Sequence, residues 1–399
     1  MNIGFFTNTY LPAVSGVTSA IENYRQELER QNHNVFIFAA KYPNYQDKNP
    51  NVFRFKSIDL NYKISYPLPI ISSSRIGKIV KKINLDIIHT HHFFLSGQIA
   101  WYYARKLKLP LIFTYHTRYD LYTHYVPLPQ EIAKPLTRLL STLYANSCDA
   151  VIAPVESVKN LLLEYKVKKP IFVIPSGIDI NKFQKTKNGE KIRKRYNIGR
   201  DKILLLTVSR LTPEKNLSFL LKTFQKINKK KKNTYFMIVG DGPEKEKLKK
   251  ESIKLGINEK VIFTGKVLNQ KMSLCYSAAD IFLFSSSTET QGLIFIEAMA
   301  SEVPIISIKA KGAQDIITNG ENGFLTSNNI DDFAQAVLKI IEDENLRKKM
   351  SKKAKRKAQY FSIENSTKKL LSLYKRAISQ KEKENKLKQN SILFQNIFK

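Results

Sequence analysis

Glu289 and Glu297 lie in the run Ser285-Ser-Ser-Thr-Glu289-Thr-Gln291-Gly292-Leu293-Ile-Phe-Ile-Glu297-Ala-Met-Ala. Residues 281–284 before it form a short apolar segment of the kind that makes a buried parallel strand. Residues 285–288 read as a polar turn able to cap a helix. From Gly292 onward the pattern is helical, with Leu293, Ile296, Met299 and Ala300 repeating on one face. A helix starting near Gln291 places Glu297 about 9 Å along its axis, at roughly 1.5 Å per residue. One carboxylate then precedes the helix N-terminus and the other stands beside it. The N-terminus supplies free N–H groups and a positive dipole end, which suit a phosphate. Two acceptors flanking an anion site fit a ligand with hydroxyls at both ends and phosphates between, and a nucleotide sugar is such a ligand. The plain alternative is a solvated loop charge and a surface helix residue.

A second group of charges sits after the apolar run at 203–208, in Ser209-Arg210-Leu-Thr-Pro-Glu214-Lys215-Asn216. Arg210 and Lys215 bracket a strand-to-helix turn, so both can reach one anion. The guanidinium fork and the ammonium point charge together suit a diphosphate, although a charged turn is common in so basic a chain. His116 ends another strand pattern, in Thr114-Tyr-His116-Thr, and a polar loop with Tyr119, Asp120, Tyr122, His124, Tyr125 and Pro127 follows. Ligands of parallel sheets bind outside the carboxyl ends of the strands, where His116 lies. Gly16 stands in the first strand-to-helix loop, either as a place of close backbone approach to a ligand or as a simple helix start. His89 and His91 share a strand face, which raises a metal site. No cysteine or carboxylate accompanies them locally, so no metal is expected.

The elements that must position these residues alternate strand and helix. Strand patterns at 2–6, 35–39, 86–89, 111–115 and 171–174 are joined by helical ones, the opening of a doubly wound fold. G-x-G-x-x-G is missing and no acidic residue ends the second strand, so a dinucleotide fingerprint is not met. Pro175-Ser-Gly-Ile-Asp179 is a turn, and the charged stretch 182–200 reads as linker. A second α/β series follows, with strands near 203–208, 235–239, 261–267, 281–284, 304–307 and 323–325. The reading is two Rossmann-like α/β domains, residues 1–178 and 179–360, with residues 361–399 as a helix returning to the first domain and a basic tail. Residues 380–390 read as a frayed polar run.

The chain has 66 Lys and Arg against 34 Asp and Glu, a formal net charge of +32, and such a field attracts phosphates, nucleic acid or an anionic leaflet. No aromatic-interleaved basic motif, helix-turn-helix cue or zinc cluster is found, so nucleic acid ranks behind the others. Residues 72–83 form a basic amphipathic helix: Ile76, Ile79, Val80 and Ile83 make a stripe, with Arg75, Lys78, Lys81 and Lys82 beside it. They are the candidate membrane-binding residues, with Phe394, Ile397 and Phe398 as a second anchor. The alternative is that the stripe packs on the sheet. The first residues lack a basic leader region, and no apolar run approaches the ~20 residues of a spanning helix. Two cysteines without a C-x-x-C partner suit a reducing compartment. The expectation is a cytoplasmic protein, peripheral on the inner face of the membrane.

Ser209-Arg210 with Glu214-Lys215, Glu289 with Glu297, Gly240-Asp-Gly242 and Ser176-Gly-Ile-Asp179 together resemble family 4 retaining glycosyltransferases. Thr114-Tyr-His116-Thr, with His124-Tyr-Val-Pro127, is similar to the branch that makes glucosyl-diacylglycerol in bacterial membranes. The resemblance runs from the first strand to about Phe361. It implies a GT-B fold, two Rossmann-like domains facing across a cleft, and a hexosyltransferase taking a nucleotide sugar, by the branch's habit UDP-glucose. It implies that Arg210 and Lys215 hold the donor diphosphate and that Glu297 binds the ribose. Glu289 would hold hydroxyls of the sugar, Gln291, Gly292 and Leu293 would offer backbone N–H groups, and His116 would line the reaction centre. Gly16 would be the close-approach glycine, where the usual pair is reduced to one. The family uses no metal or other cofactor, and no D-x-D ends a strand here. The implied acceptor is a membrane lipid, diacylglycerol; another lipid, a polysaccharide or a soluble sugar is the second reading.

Overall fold

The computed structural model describes residues 1–13, 15–58, 67–70, 74–123, 128–186 and 188–397, without the side chains at 68, 74, 75, 269, 270 and 391–397. His124, Tyr125, Pro127 and Phe398 therefore lie outside the described residues, as do the side chains of Arg75, Phe394 and Ile397. The chain divides into two compact units, Met1–Gly177 with Ile363–Lys399, and Ile178–Ser362.

In the first unit the elements are β1 (Asn2–Thr7), α1 (Gly16–Arg30), β2 (Asn34–Ala40), β3 (Val52–Phe55), β4 (Ser57–Ile58), β5 (Leu68–Pro69), α2 (Ser74–Ile83), β6 (Ile87–Thr90), α3 (Ser96–Lys106), β7 (Leu111–Thr114), α4 (Gln130–Ser147), β8 (Ala150–Ala153), α5 (Glu156–Glu164) and β9 (Ile171–Val173). Seven strands form a parallel sheet in the order β3-β2-β1-β6-β7-β8-β9, while β4 and β5 make a small antiparallel pair. Strands buried on both faces read as apolar runs, as in Ile3, Phe5 and Phe6 of β1. The order reverses between β1 and β6, so the loops after those strands open at a topological switch point. Ser15 caps α1 by accepting from Thr18 N, and Ile21, Tyr24 and Leu28 face the core. In α2 the stripe serves the core: Ile76 and Val80 are buried, and Lys78, Lys81 and Lys82 are exposed.

The second unit contains α6 (Gly189–Arg195), β10 (Ile203–Val208), α7 (Leu217–Lys230), β11 (Thr234–Val239), α8 (Lys245–Lys254), β12 (Val261–Gly265), α9 (Asn269–Ala278), β13 (Ile281–Phe284), α10 (Leu293–Ala300), β14 (Ile305–Ile308), α11 (Lys311–Ile316), β15 (Gly323–Thr326), α12 (Ile330–Glu342) and α13 (Glu344–Ala358). Its six parallel strands run β12-β11-β10-β13-β14-β15, with the reversal between the neighbours β10 and β13. The last helix, α14 (Ile363–Ile397), belongs to the first unit, where Leu370, Leu373 and Tyr374 join the core beside Tyr24 and Leu28.

Two sequence expectations are corrected. Residues 380–390 continue α14 as regular helix instead of fraying. Lys381 anchors them through an ion pair with Asp149, 2.7 Å. Residues 182–200 are not linker, because they contain α6, which packs on α9. Its Arg193 donates to the carbonyls of Ala278, Gly199 and Lys202 at 2.9–3.1 Å and to Asp280 at 2.7 Å. One guanidinium thus ties the helix to the start of β10 and the turn before β13. Arg193→Ala removes all four contacts, although Asp280 keeps Leu204 N and Gly199 O keeps Lys202 N as donors, and it should cost the second unit roughly 2–4 kcal/mol. Urea unfolding of wild type and variant measures the difference.

Candidate active site

In the second unit, the loops after β10 and β13 are the ones that flank the switch point. After β10 the chain runs through Ser209 and Arg210, makes a short turn at Pro213–Lys215, and reaches Asn216, whose left-handed φ of 52° turns it into α7. The 240–242 turn after β11 braces this loop: Leu211 N donates to Asp241 O and Glu244 N to Leu211 O, both 3.0 Å. From the β13 side, Ser285 Oγ donates to the carbonyls of Lys215 and Asn216, and Ser286 Oγ to that of Glu214, each at 2.9 Å. The two hydroxyls therefore hold the Lys215 loop; the helix-capping role expected of residues 285–288 is not observed, and α10 has no side-chain cap. Satisfying three loop carbonyls takes precedence, because a buried carbonyl without a donor is costly.

This bracing brings Lys215 and Glu289 together in an ion pair, with only 11% and 18% of the two side chains exposed. The Lys215 ammonium also lies 5.8 Å from the centre of the Phe284 ring. Arg210 approaches Glu214 at 3.6 Å and is 54% exposed, leaving much of its fork open to a ligand. The Glu214 carboxylate is 6% exposed and neither oxygen accepts a hydrogen bond among the described residues. Thr290 and Gln291 are buried, and Gly292 has φ 73°, the left-handed region, at the entry to α10. Gly312 backs the loop: a Cβ there would sit 2.6 Å from Glu289 O and 2.7 Å from Thr290 O. Helix α10 is covered more widely than a single stripe implies, since Phe295, Ile296, Ala298, Met299 and Ala300 are all buried. Glu297 accepts from the Tyr276 hydroxyl at 2.8 Å, and burial pushes its carboxyl up to about 7.

The first unit holds His116 and Gly16. His116 follows β7, and its Nε2 lies 2.9 Å from Nδ1 of His91, with the rings stacked at 5.1 Å. Burial lowers the His116 pKa to about 3, so the ring is neutral near pH 7 and acts as a dipole without charge. His91 is fully buried and its Nε2 has no hydrogen-bond partner among the described residues. His89 has both ring nitrogens engaged, Nδ1 with the Tyr374 hydroxyl and Nε2 with Thr114 Oγ1, each at 2.6 Å. Its place is in the core between α14 and β7. Among the described residues no three His, Cys, Asp or Glu side chains gather as a metal set. Gly16 is exposed, and among the described residues an added Cβ would meet nothing within 4 Å, so none of them requires glycine there.

Sequence reasoning missed Tyr276, Gly312 and His91. Tyr276 and Gly312 come from α9 and α11 and carry no local pattern that points to the site. His91 was visible, but as half of a metal pair with His89; its partner is His116, from the adjacent strand end.

The Glu297 shift has a pH consequence. A carboxyl pKa raised from 4.5 to about 7 means that the folded state favours the proton. That stability is complete below the unfolded value and fades as pH rises through about 7. Glu297→Gln keeps an acceptor for Tyr276 and removes the half-buried charge. Relative to wild type it should gain roughly 2 kcal/mol between about pH 5 and pH 8, allowing for partial solvent screening. Denaturant melts at the two pH values read this directly.

The family description "Glycosyl transferases group 1" matches residues 188–357, and "Glycosyltransferase Family 4" matches residues 14–182. The alpha-monoglucosyldiacylglycerol synthase of Streptococcus pneumoniae is 38% identical over 320 residues, covering 77% of this chain and 71% of that protein. The protein of the same name from Acholeplasma laidlawii is 28% identical over 395 residues, covering 96% and 99%. Among solved structures, Anabaena HepE in complex with UDP-glucose superposes with a TM-score of 0.76 at 18% identity, covering 94% of this chain and 100% of that one. That likeness speaks for the fold. With two parallel-sheet Rossmann-like units and these relatives, the chain belongs to glycosyltransferase family 4 and is a glycosyltransferase of the GT-B fold.

Proposed function

We propose that this glycosyltransferase moves a hexose, glucose from UDP-glucose, onto 1,2-diacylglycerol with retention at the anomeric carbon, without a metal or other cofactor. The observation that carries the donor half is the Lys215–Glu289 pair, held by Ser285 and Ser286 beside the uncapped start of α10. A diphosphate competes with Glu289 for Lys215. When it arrives, Lys215, Arg210 and the N–H groups near Gln291, Gly292 and Leu293 meet its charge, and Glu289 is released to accept from sugar hydroxyls. Glu297, poised near neutrality and already bonded to Tyr276, takes a ribose hydroxyl. Charge on the leaving diphosphate grows in the transition state, so Lys215 and Arg210 stabilise that state more than the ground state. No covalent nucleophile is invoked, and front-face displacement accounts for retention. His116, as a neutral imidazole, contributes a hydrogen bond to the sugar, and Gly16 leaves room for the ligand at the start of α1.

The acceptor half rests on the names of the two synthases reported above, which match over most of the chain. Phosphatidylinositol-type lipids, lipopolysaccharide or soluble sugars are the alternatives. No helix among the described residues is long and apolar enough to cross a membrane. We place the protein peripherally on an anionic leaflet, where the exposed Lys78, Lys81 and Lys82 supply about 1 kcal/mol each within a Debye length.

Purified protein incubated with a panel of nucleotide sugars and diacylglycerol should yield glucosyl-diacylglycerol from UDP-glucose. Product formed only on a soluble acceptor would refute the lipid assignment. Lys215→Ala and Glu289→Ala should each lose about 2–4 kcal/mol of transition-state stabilisation, read as kcat/KM. Near-normal turnover in both would remove the donor-site assignment. Activity should persist in excess EDTA; loss on chelation and recovery with one divalent ion would show a metal requirement.

A further inference from the structure

Helix α4 turns small residues and one tyrosine inward, and the Tyr144 ring meets Phe113 of β7 edge-on at 5.3 Å. Ala133, Ser141 and Ala145, with Tyr144, are buried, whereas Ile132, Leu136, Leu139, Leu140 and Leu143 are 40–57% exposed, and Leu128 just before the helix is 43% exposed. At about 100° per residue the five positions within the helix fall on one continuous arc, centred roughly 130° from the buried one. A globular core places large aliphatic residues inside, and a contiguous exposed apolar face marks an interaction surface.

The neighbouring helices say what covers it. Helix α3 lies beside α4: the Tyr144 hydroxyl donates to Gly97 O at 2.8 Å and Arg105 to Ser147 O at 2.9 Å. It carries Trp101 and Tyr102, 38% and 49% exposed, with Arg105 over the Trp101 ring and Lys106 bonded to the Tyr102 hydroxyl. Helix α2 comes next, since a Cβ on its Gly77 would meet the Tyr103 hydroxyl at 2.7 Å. Lys106 holds the Tyr102 pKa down, and the α2 lysine Lys81 is close enough to add to that effect. Across three adjacent helices the surface thus grades from exposed lysines through Trp and Tyr to an aliphatic face. Basic, aromatic and aliphatic zones in that order match the headgroup, interface and acyl layers of an anionic bilayer, whereas a protein partner calls for no such gradient.

We infer that the outer face of α4, with Trp101, inserts into the headgroup–acyl boundary of an anionic membrane, while the lysines of α2 hold the leaflet by charge. Thr123 Oγ1 donates to Gln130 Oε1 at 2.7 Å, so the start of α4 is fixed to the loop that follows His116. The inference rests on the lipid-acceptor reading and adds the surface through which the enzyme docks.

Trp101 is the chain's single tryptophan, which makes it a probe of insertion. The full chain is mixed with phosphatidylcholine–phosphatidylglycerol vesicles, and flotation and Trp101 emission are followed at low and high salt. Wild type should shift its emission to the blue and keep a salt-resistant part of its binding. The variant L136Q/L139Q/L143Q should lose the blue shift and the salt-resistant binding, with partitioning at least about a hundredfold weaker. K78S/K81S/K82S should lose only the salt-sensitive part. Should the triple glutamine variant fail to fold, the emission of W101F/L139W should still be quenched by brominated lipid. Unchanged partitioning of the glutamine variant overturns the inference, as does W101F/L139W emission that iodide quenches and brominated lipid does not. So does a dimer that the glutamine variant converts to monomer while vesicle binding persists, since α4 is then an interface between copies. Insertion through α4 in a protein that glycosylates only soluble acceptors supports the docking surface and rejects the lipid acceptor.

Discussion

The ion pair between Lys215 and Glu289 depends on two neighbouring parallel strands ending at the same level, and much of the second unit secures that condition. β10 and β13 are adjacent because the sheet reverses its order there. Ser285 and Ser286 then tie the β13 loop to three carbonyls of the β10 loop. Gly312 allows the Glu289 backbone to lie against α11. Two charges so little exposed cost free energy to desolvate, and their attraction offsets that cost without a large surplus. Such a pair contributes little to fold stability and exchanges partners readily. In the donor complex we propose, a diphosphate would bring more negative charge to Lys215 than one carboxylate does, and hydroxyls of the same ligand would meet the freed carboxylate.

The first unit solves a different problem, which is to keep imidazoles uncharged in an apolar setting. His89, His91 and His92 are buried in or beside β6, and burial holds the pKa of each well below its usual range. His89 satisfies both nitrogens through Tyr374 and Thr114, which is one reason the last helix belongs to this unit. His91 spends one nitrogen on His116, and so fixes the ring that our proposal sets against the sugar.

The alternation of strands and helices was legible because parallel strands buried on both faces leave apolar runs, and because turns such as 240–242 carry glycine. The positions of Lys215 and Glu289 at strand ends were legible for the same reason. Their pairing was not, because residues 74 positions apart meet only once the strand order is known. Residues 182–200 misled through composition: Arg193 is charged, yet its guanidinium satisfies backbone carbonyls and Asp280 inside a packed interface. Residues 380–390 misled similarly, since a polar helix can be held to the body of the unit by contacts such as the Lys381–Asp149 ion pair and the Asn385 hydrogen bond to Lys108 O. The outer face of α4 is not legible in the sequence because a leucine-rich helix normally spends its leucines on the core, and only the packed structure reveals that alanine and serine face inward.

In the function proposed above, the donor's diphosphate displaces Glu289 from Lys215, and Glu289 then recognises the sugar. Calorimetric titration of wild type and Glu289→Ala with UDP and with UDP-glucose tests it most directly. UDP should bind the variant at least as tightly as wild type, because Glu289 no longer competes for Lys215, while UDP-glucose loses its advantage over UDP. Weaker UDP binding in the variant, or an undiminished preference for UDP-glucose, would contradict it.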